Sequence, residues 1–396
     1  MDRLCERLRE QVLGQMDFSK EMEESELKEL IGRVLAACGE VTEYSLKDRV
    51  VMEQRVFNSL RRLDVLQELV DDDEVTEILV NGPNRIFYEK GGTFYEYPYR
   101  FSSEEKLQDV IQQIVGKHNR VVNLTNPIVD TRLEDGSRVN VVLTPVAIDG
   151  SAVSIRKFSK LPLTMDALVE KGTITQDAAD FLKMLVINRY NLFISGGTGS
   201  GKTTFLNALS FYIPKQERII TIEDSAELRL QEVSNIVRLE TRNANMEGVK
   251  AITARELIHT ALRMRPDRII VGECRGEEAL DMLQAMNTGH EGSLSTGHGN
   301  STSDMLSRLE TMVLMGSSLP LSAIRRQIVG GIDIMVHLER DRYGKRQVVE
   351  IAEIVGLHEG EIQLNCLFRR EQELIRISEL RNKRKLQEGE VHGEDI

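Results

Sequence analysis

Tryptophan is absent from this 396-residue chain and aromatic residues make up only 5 %, so single-stranded nucleic acid held by base stacking is not suggested. Cysteine is scarce too. Cys5, Cys38, Cys274 and Cys366 lie far apart with no C-x-x-C pair, which disfavours a disulfide framework or a cysteine zinc site and fits a reduced, cytoplasmic setting. No run of about 18 apolar residues occurs, and the first residues are charged rather than apolar. Neither a secretory signal nor a membrane span is expected, and any membrane role is peripheral. A basic excess is also missing. With 51 basic against 63 acidic residues the net charge is −12, the wrong sign for coating a phosphate backbone.

What is present is a nucleotide-binding signature. Gly196-Gly197-Thr198-Gly199-Ser200-Gly201-Lys202-Thr203, followed by Thr204, matches G-x-x-x-x-G-K-[ST] without substitution. Its glycines let backbone N–H groups curl around phosphate oxygens. Lys202 supplies a cation for the β- and γ-phosphates, and Thr203 a hydroxyl for Mg²⁺. About one or two chains in a hundred of this length would carry the pattern by chance, so its context decides. Tyr190–Ser195 reads as an apolar strand entering the loop. Lys202–Tyr212 reads as a helix with Phe205, Leu206 and Leu209 on one side and Pro214 as its stop. That order aims a helix N-terminus at the phosphates.

Around this motif the texture changes in stages. Residues 1–60 carry Leu27, Leu30, Ile31 and Val34 at helical spacing among many charges, which predicts a helical region. Residues 61–158 read as an α+β module. A turn at Asn81-Gly82-Pro83-Asn84 precedes a hairpin turning at Gly91-Gly92, Leu107–Val115 is helical, and Val139–Leu143 and Ala152–Arg156 are strands. A linker is expected at Lys160–Leu163. Residues 159–368 alternate strand and helix, the mark of an α/β domain with a parallel-rich sheet. The remainder, 369–396, reads as a charged tail with Leu374, Ile377 and Leu380 at helical spacing.

In such a sheet ligands gather beyond the carboxyl ends of the strands. One strand ends in the P-loop, a second in Glu223-Asp224 with Glu227 nearby, a third in Glu273 followed by Arg275, and a fourth in His298. Carboxylates converging there can orient an attacking water and hold Mg²⁺, and a histidine can sense the γ-phosphate. Metal binding by His290 and His298 is not supported, since no third ligand has usable spacing. Arginines are the remaining candidates: Arg132, Arg138 and Arg156 in the α+β module, and Arg238, Arg242, Arg263, Arg265 and Arg275 in the sheet domain.

Taken in order, these motifs make the chain resemble the ATPases of type II and type IV secretion systems, and among them the Tad (Flp) pilus-assembly or CpaF family. Val80–Pro83, Asp130–Leu133, Gly136–Asn140, Ser154–Phe158, Thr221–Asp224, Ala261–Asp267, Arg268–Gly276, Met286–His290 and Arg308–Glu310 carry the likeness over about residues 60–355. The resemblance implies a RecA-like P-loop NTPase domain preceded by an α+β N-terminal domain. It implies ATP and Mg²⁺ as ligands, with Glu223 as water-orienting base (Glu227 the second choice) and Glu273 as the acid that holds Mg²⁺ together with Thr203. His298 would stand at the His-box position. Arg132, Arg138 and Arg156 would be nucleotide contacts, and Arg238, Arg263 and Arg275 further arginine contacts. It also implies a homo-oligomer, a hexamer, docked on inner-membrane platform proteins at the cytoplasmic face, without nucleic acid. The flanking of His298 by Gly297 and Gly299 departs from the family pattern, as does Cys274. Two rivals remain: a DNA-uptake or conjugative-transfer ATPase with the same core, and a nucleotide switch that does not hydrolyse.

Overall fold

A computed structural model describes residues 2–17, 20, 22–117, 120–157, 163–230, 233–242 and 250–387. The linker expected at Lys160–Leu163 lies, except for Leu163, outside the described residues. The chain divides into two compact units, residues 1–160 and 161–396.

The first unit opens with three helices, α1 (Asp2–Gln15), α2 (Glu24–Ala37) and α3 (Leu46–Arg61). Their apolar stripes meet in one cluster that includes Leu8, Leu27, Ile31, Met52 and Phe57. Ser45 caps α3 by accepting a hydrogen bond from the Asp48 amide, and a Glu23/Glu26 capping box opens α2. A short α4 (Gln67–Asp71) leads into a six-stranded antiparallel sheet. Its strands are β1 (Val75–Asn81), β2 (Ile86–Lys90), β3 (Thr93–Glu96), β4 (Ile128–Arg132), β5 (Arg138–Val142) and β6 (Ala152–Arg156), in the order β3-β2-β1-β6-β5-β4. Between β3 and β4 runs α5 (Glu104–Gly116). Alternate residues Val139, Val141, Val153 and Ile155 are buried and share a cluster with Leu107, Val110, Ile111 and Ile114 of α5. Gly82 (φ +70°) is required in its turn, because a Cβ there would stand 2.5 Å from the Asp149 carbonyl oxygen.

The second unit begins with α6 (Met165–Glu170) and α7 (Gln176–Ile187), then β7 (Leu192–Gly196), α8 (Lys202–Ser210), β8 (Ile219–Glu223), β9 (Ile236–Glu240) and α9 (Ala254–Ala261). There follow β10 (Arg268–Cys274), α10 (Glu278–Asn287), β11 (Leu294–His298), α11 (Thr302–Gly316), α12 (Leu321–Gly331), β12 (Ile334–Arg340), β13 (Arg346–His358), β14 (Glu361–Arg370) and β15 (Leu374–Arg376). The nine strands run β15-β14-β13-β12-β7-β11-β10-β8-β9. From β12 to β9 neighbours are parallel; from β12 to β15 they are antiparallel. Every residue of β7 and β8 is buried, as strands covered on both faces must be. One apolar layer joins α7 and α8 to the sheet through Leu182, Leu206 and Leu209. The other joins α9 to α12 through Ile258, Leu283, Leu309 and Ile328. No helix among the described residues is long and apolar enough to cross a membrane.

The far end of the chain departs from expectation. Position 369 lies within β14, and Leu374, one of the three residues read at helical spacing, sits in β15 against Arg370. Leu374 and Leu380 are buried, whereas Ile377 is half exposed. Pairing and side-chain anchoring override the helical period. The buried Glu353 carboxylate accepts hydrogen bonds from the Arg381 and Asn382 amides, at 2.9 and 2.6 Å. Lys385 Nζ donates to Asp333 at 2.8 Å. Residues 388–396 lie outside the described residues.

Candidate functional site

Strand β7 delivers the chain to the P-loop, and α8 leaves it at Lys202. The loop can make its turn because Gly199 (φ +71°) and Gly201 (φ +94°) adopt left-handed backbone that other residues resist. At Gly196 a Cβ would overlap the Leu338 carbonyl, so strand β12 pins the entry to the loop. Lys202 is buried at 7 % exposure, and its ammonium donates to the Gly196 and Gly197 carbonyls, both at 3.0 Å.

Parallel pairing of β7, β11, β10 and β8 brings their carboxyl ends to one edge. Four polar residues from that edge stand in a row. Lys202 Nζ lies 3.4 Å from His298 Nδ1. His298 Nε2 lies 2.7 Å from Glu273 Oε1, and Glu273 Oε2 accepts from Arg275 Nη2 at 2.6 Å. The His298–Glu273 approach lacks the alignment of a hydrogen bond, which leaves Glu273 Oε1 buried without a donor. Burial and the Lys202 ammonium hold the His298 imidazole below its ordinary pKa, Glu273 opposing them, while Arg275 and Arg308 of α11 add to the lowering. The Arg275 guanidinium is raised, first by its bond to Glu273.

Glu223 ends β8 in a different environment. It is buried at 4 % exposure, and its Oε2 accepts from the amides of Glu227 (2.8 Å) and Leu228 (2.9 Å). Gly272 makes room for it, since a Cβ there would stand 2.8 Å from Glu223 Cγ. The carboxylate thus shapes the 224–228 segment and fixes where Glu227, only partly buried, is carried.

The arginines separate into groups. Arg275 joins the row described above. Arg238 is exposed in the middle of edge strand β9, and Arg263 follows α9 at the edge where β10 begins, opposite the P-loop edge. The structure brings neither to the P-loop of its own chain. In the first unit, strand register sets Arg132 opposite Arg138 and Arg138 opposite Arg156, with Glu77 next in the row. Residues paired this way share a sheet face, so three like charges stand side by side.

Two features were invisible in the local sequence. Arg346, at the start of β13, donates from Nε to the Gly199 carbonyl at 2.9 Å, bracing the P-loop from the C-terminal hairpin. Ser195, just before the loop, lies 2.8 Å from His337 Nδ1 on β12. Only the long-range pairing of β7 with β12 reveals either, although the cluster Arg340, Arg342, Lys345 and Arg346 was a basic signal in plain view.

The residues present fit MgATP. The left-handed glycines form a cradle that side chains would fill, and Lys202 stands at its floor. Thr203 and Glu273 offer the hard oxygen donors that Mg²⁺ takes, and the donor-free Glu273 Oε1 is an acceptor suited to a metal-bound water. No cluster of three or more His, Cys, Asp or Glu residues able to hold a metal by themselves occurs among the described residues.

Fold and site together define a RecA-like P-loop protein. The crystal structure of the Legionella pneumophila ATPase DotB shares the fold, with a TM-score of 0.53 at 21 % identity over 74 % of this chain and 80 % of that one. The chain belongs to the family described as Type II/IV secretion system protein, which matches residues 60–340. Relatives include a Mycobacterium tuberculosis protein described as "Putative conjugal transfer protein", 35 % identical over 305 residues (76 % of this chain, 86 % of the relative). The type IV secretion system protein PtlH of Bordetella pertussis is 33 % identical over 315 residues, 73 % of this chain and 93 % of PtlH.

Proposed function

We propose that this protein is a Mg²⁺-dependent ATPase motor, acting as a homohexamer at the inner face of the cytoplasmic membrane and powering Tad-type pilus assembly through platform proteins there. The observation that carries the catalytic reading is the row of close approaches Arg275–Glu273–His298–Lys202 beside the P-loop. The motif set from Val80 to Glu310 supports the pilus branch.

Lys202 exchanges its loop carbonyls for β- and γ-phosphate oxygens when nucleotide enters, and the P-loop amides take the remaining charge. Thr203, and Glu273 through water, would hold Mg²⁺, which when bound would supply positive charge to offset that of the phosphates. Glu223 holds the 224–228 segment in place, so that it or the Glu227 it positions orients the attacking water. The neutral His298 imidazole links Glu273 to the Lys202 ammonium and can register which phosphate lies between them. The row Arg132–Arg138–Arg156 is a set of cations suited to phosphate, and Arg238 and Arg263 are reserved for contacts from another copy of the chain.

Phosphate release from MgATP by the full-length protein tests this. Lys202→Ala should lose nucleotide binding, whereas Glu273→Gln should keep it and turn over at least a hundredfold more slowly. Undiminished turnover in both would remove the site assignment.

A conjugative role is the second reading, favoured by the description of the Mycobacterium tuberculosis relative. It requires hydrolysis stimulated by DNA and a salt-sensitive DNA affinity.

A further inference from the structure

The first unit holds a cavity of about 380 Å³ where α1 and α3 meet the segment leading into α5. Its charge runs against that of the chain. Five basic side chains line it against three acidic ones, in a protein of net charge −12. Two of the acids are already engaged. Glu68 accepts from the Tyr97 hydroxyl at 2.7 Å and lies 3.7 Å from Arg55, while Asp64 stands 3.9 Å from Lys106. Arg9 keeps an unmet donor: its Nε is buried and has no hydrogen-bond acceptor. Burial first, and the Arg9 charge after it, hold the Lys106 amine below the ordinary lysine range, with Asp64 opposing. Lys106 donates only to the Ser59 carbonyl, at 2.8 Å, and so retains donors. Arg55 is held rigid with its guanidinium 3.4 Å over the Tyr99 ring. A buried guanidinium N–H without an acceptor is costly, and an anion brings both the charge and the acceptors.

We propose that this cavity is a binding site for a soluble phosphate ester, its phosphate or pyrophosphate group held by Arg9 and Lys106. The volume suits a ligand of that size, larger than a bare ion. The site stands apart from the P-loop and does not rest on the ATPase reading.

Inorganic pyrophosphate is the probe, titrated calorimetrically into the full-length Lys202→Ala protein to suppress binding at the P-loop. Saturable binding is expected, weakened at least tenfold when Arg9→Gln and Lys106→Gln are added. If the double change unfolds the helical region, seen as lost helicity, Arg9→Gln alone serves, with Arg9→Lys retaining most of the affinity. No saturable heat, or an affinity indifferent to Arg9 and Lys106, overturns the proposal.

Discussion

Glu217→Leu is the sharpest test of how the second unit is held together. Arg268, the first residue of β10, is fully buried. Its Nε donates to Glu217 Oε2 at 2.5 Å and its Nη2 to Glu217 Oε1 at 3.2 Å, while Nη1 reaches the Val186 carbonyl at 2.7 Å and that of Gly292 at 3.3 Å. Gly292 (φ +82°) yields space for it, since a Cβ there would stand 2.6 Å from Nη1. Removing Glu217 strands a buried guanidinium. Breaking a buried pair on one side costs about 3–5 kcal/mol, and the two surviving carbonyl bonds favour the lower end, about 3 kcal/mol. The partly exposed Arg189, which also pairs with Glu217, adds little. For a unit of this size each kcal/mol lowers Tm by about 2–4 °C, so a drop of about 6–12 °C is expected. Thermal unfolding followed by circular dichroism reads it. Adding Arg268→Met should recover most of the loss by replacing an ion pair with apolar packing. A fall under about 2 °C, or no recovery in the double variant, would refute the argument.

Arg346→Ala removes the brace on the Gly199 carbonyl. On the ATPase reading KM for ATP should rise about 2–10-fold with kcat little changed, and an unaltered KM would show that the brace is idle. His298 gives a pH signature. Its folded pKa is lowered, so the unfolded chain takes up the proton first, and stability present above the unfolded value near 6.5 is lost as pH falls through the folded one. His298→Gln should flatten that dependence in denaturation curves collected between about pH 7.5 and 5.

The parts that could be read from sequence were local or ended an apolar run. The P-loop declares itself because its glycines, lysine and threonine are contiguous. Glu223 and Glu273 announced themselves by following the apolar runs of β8 and β10, and His298 by ending the short Leu-Ser-Thr-Gly strand β11. Arg132, Arg138 and Arg156 were visible as residues, but their alignment in one row is a matter of register, which sequence spacing does not reveal. Arg346 and His337 meet the P-loop and Ser195 only because β12 inserts beside β7 and turns back as β13. The tail misled for a physical reason. Leu374, Ile377 and Leu380 fit a helical period, yet strand pairing and the Glu353 carboxylate fix that backbone instead.

The central claim is that the residues gathered at one sheet edge hold MgATP and act on it. An experimental structure of the full-length Glu273→Gln protein with MgATP tests it most directly. The terminal phosphate should lie within hydrogen-bond reach of Lys202 Nζ, with the metal against Thr203 and His298 beside them. Nucleotide seated elsewhere, or at the P-loop with position 273 and His298 turned away from it, would contradict the account.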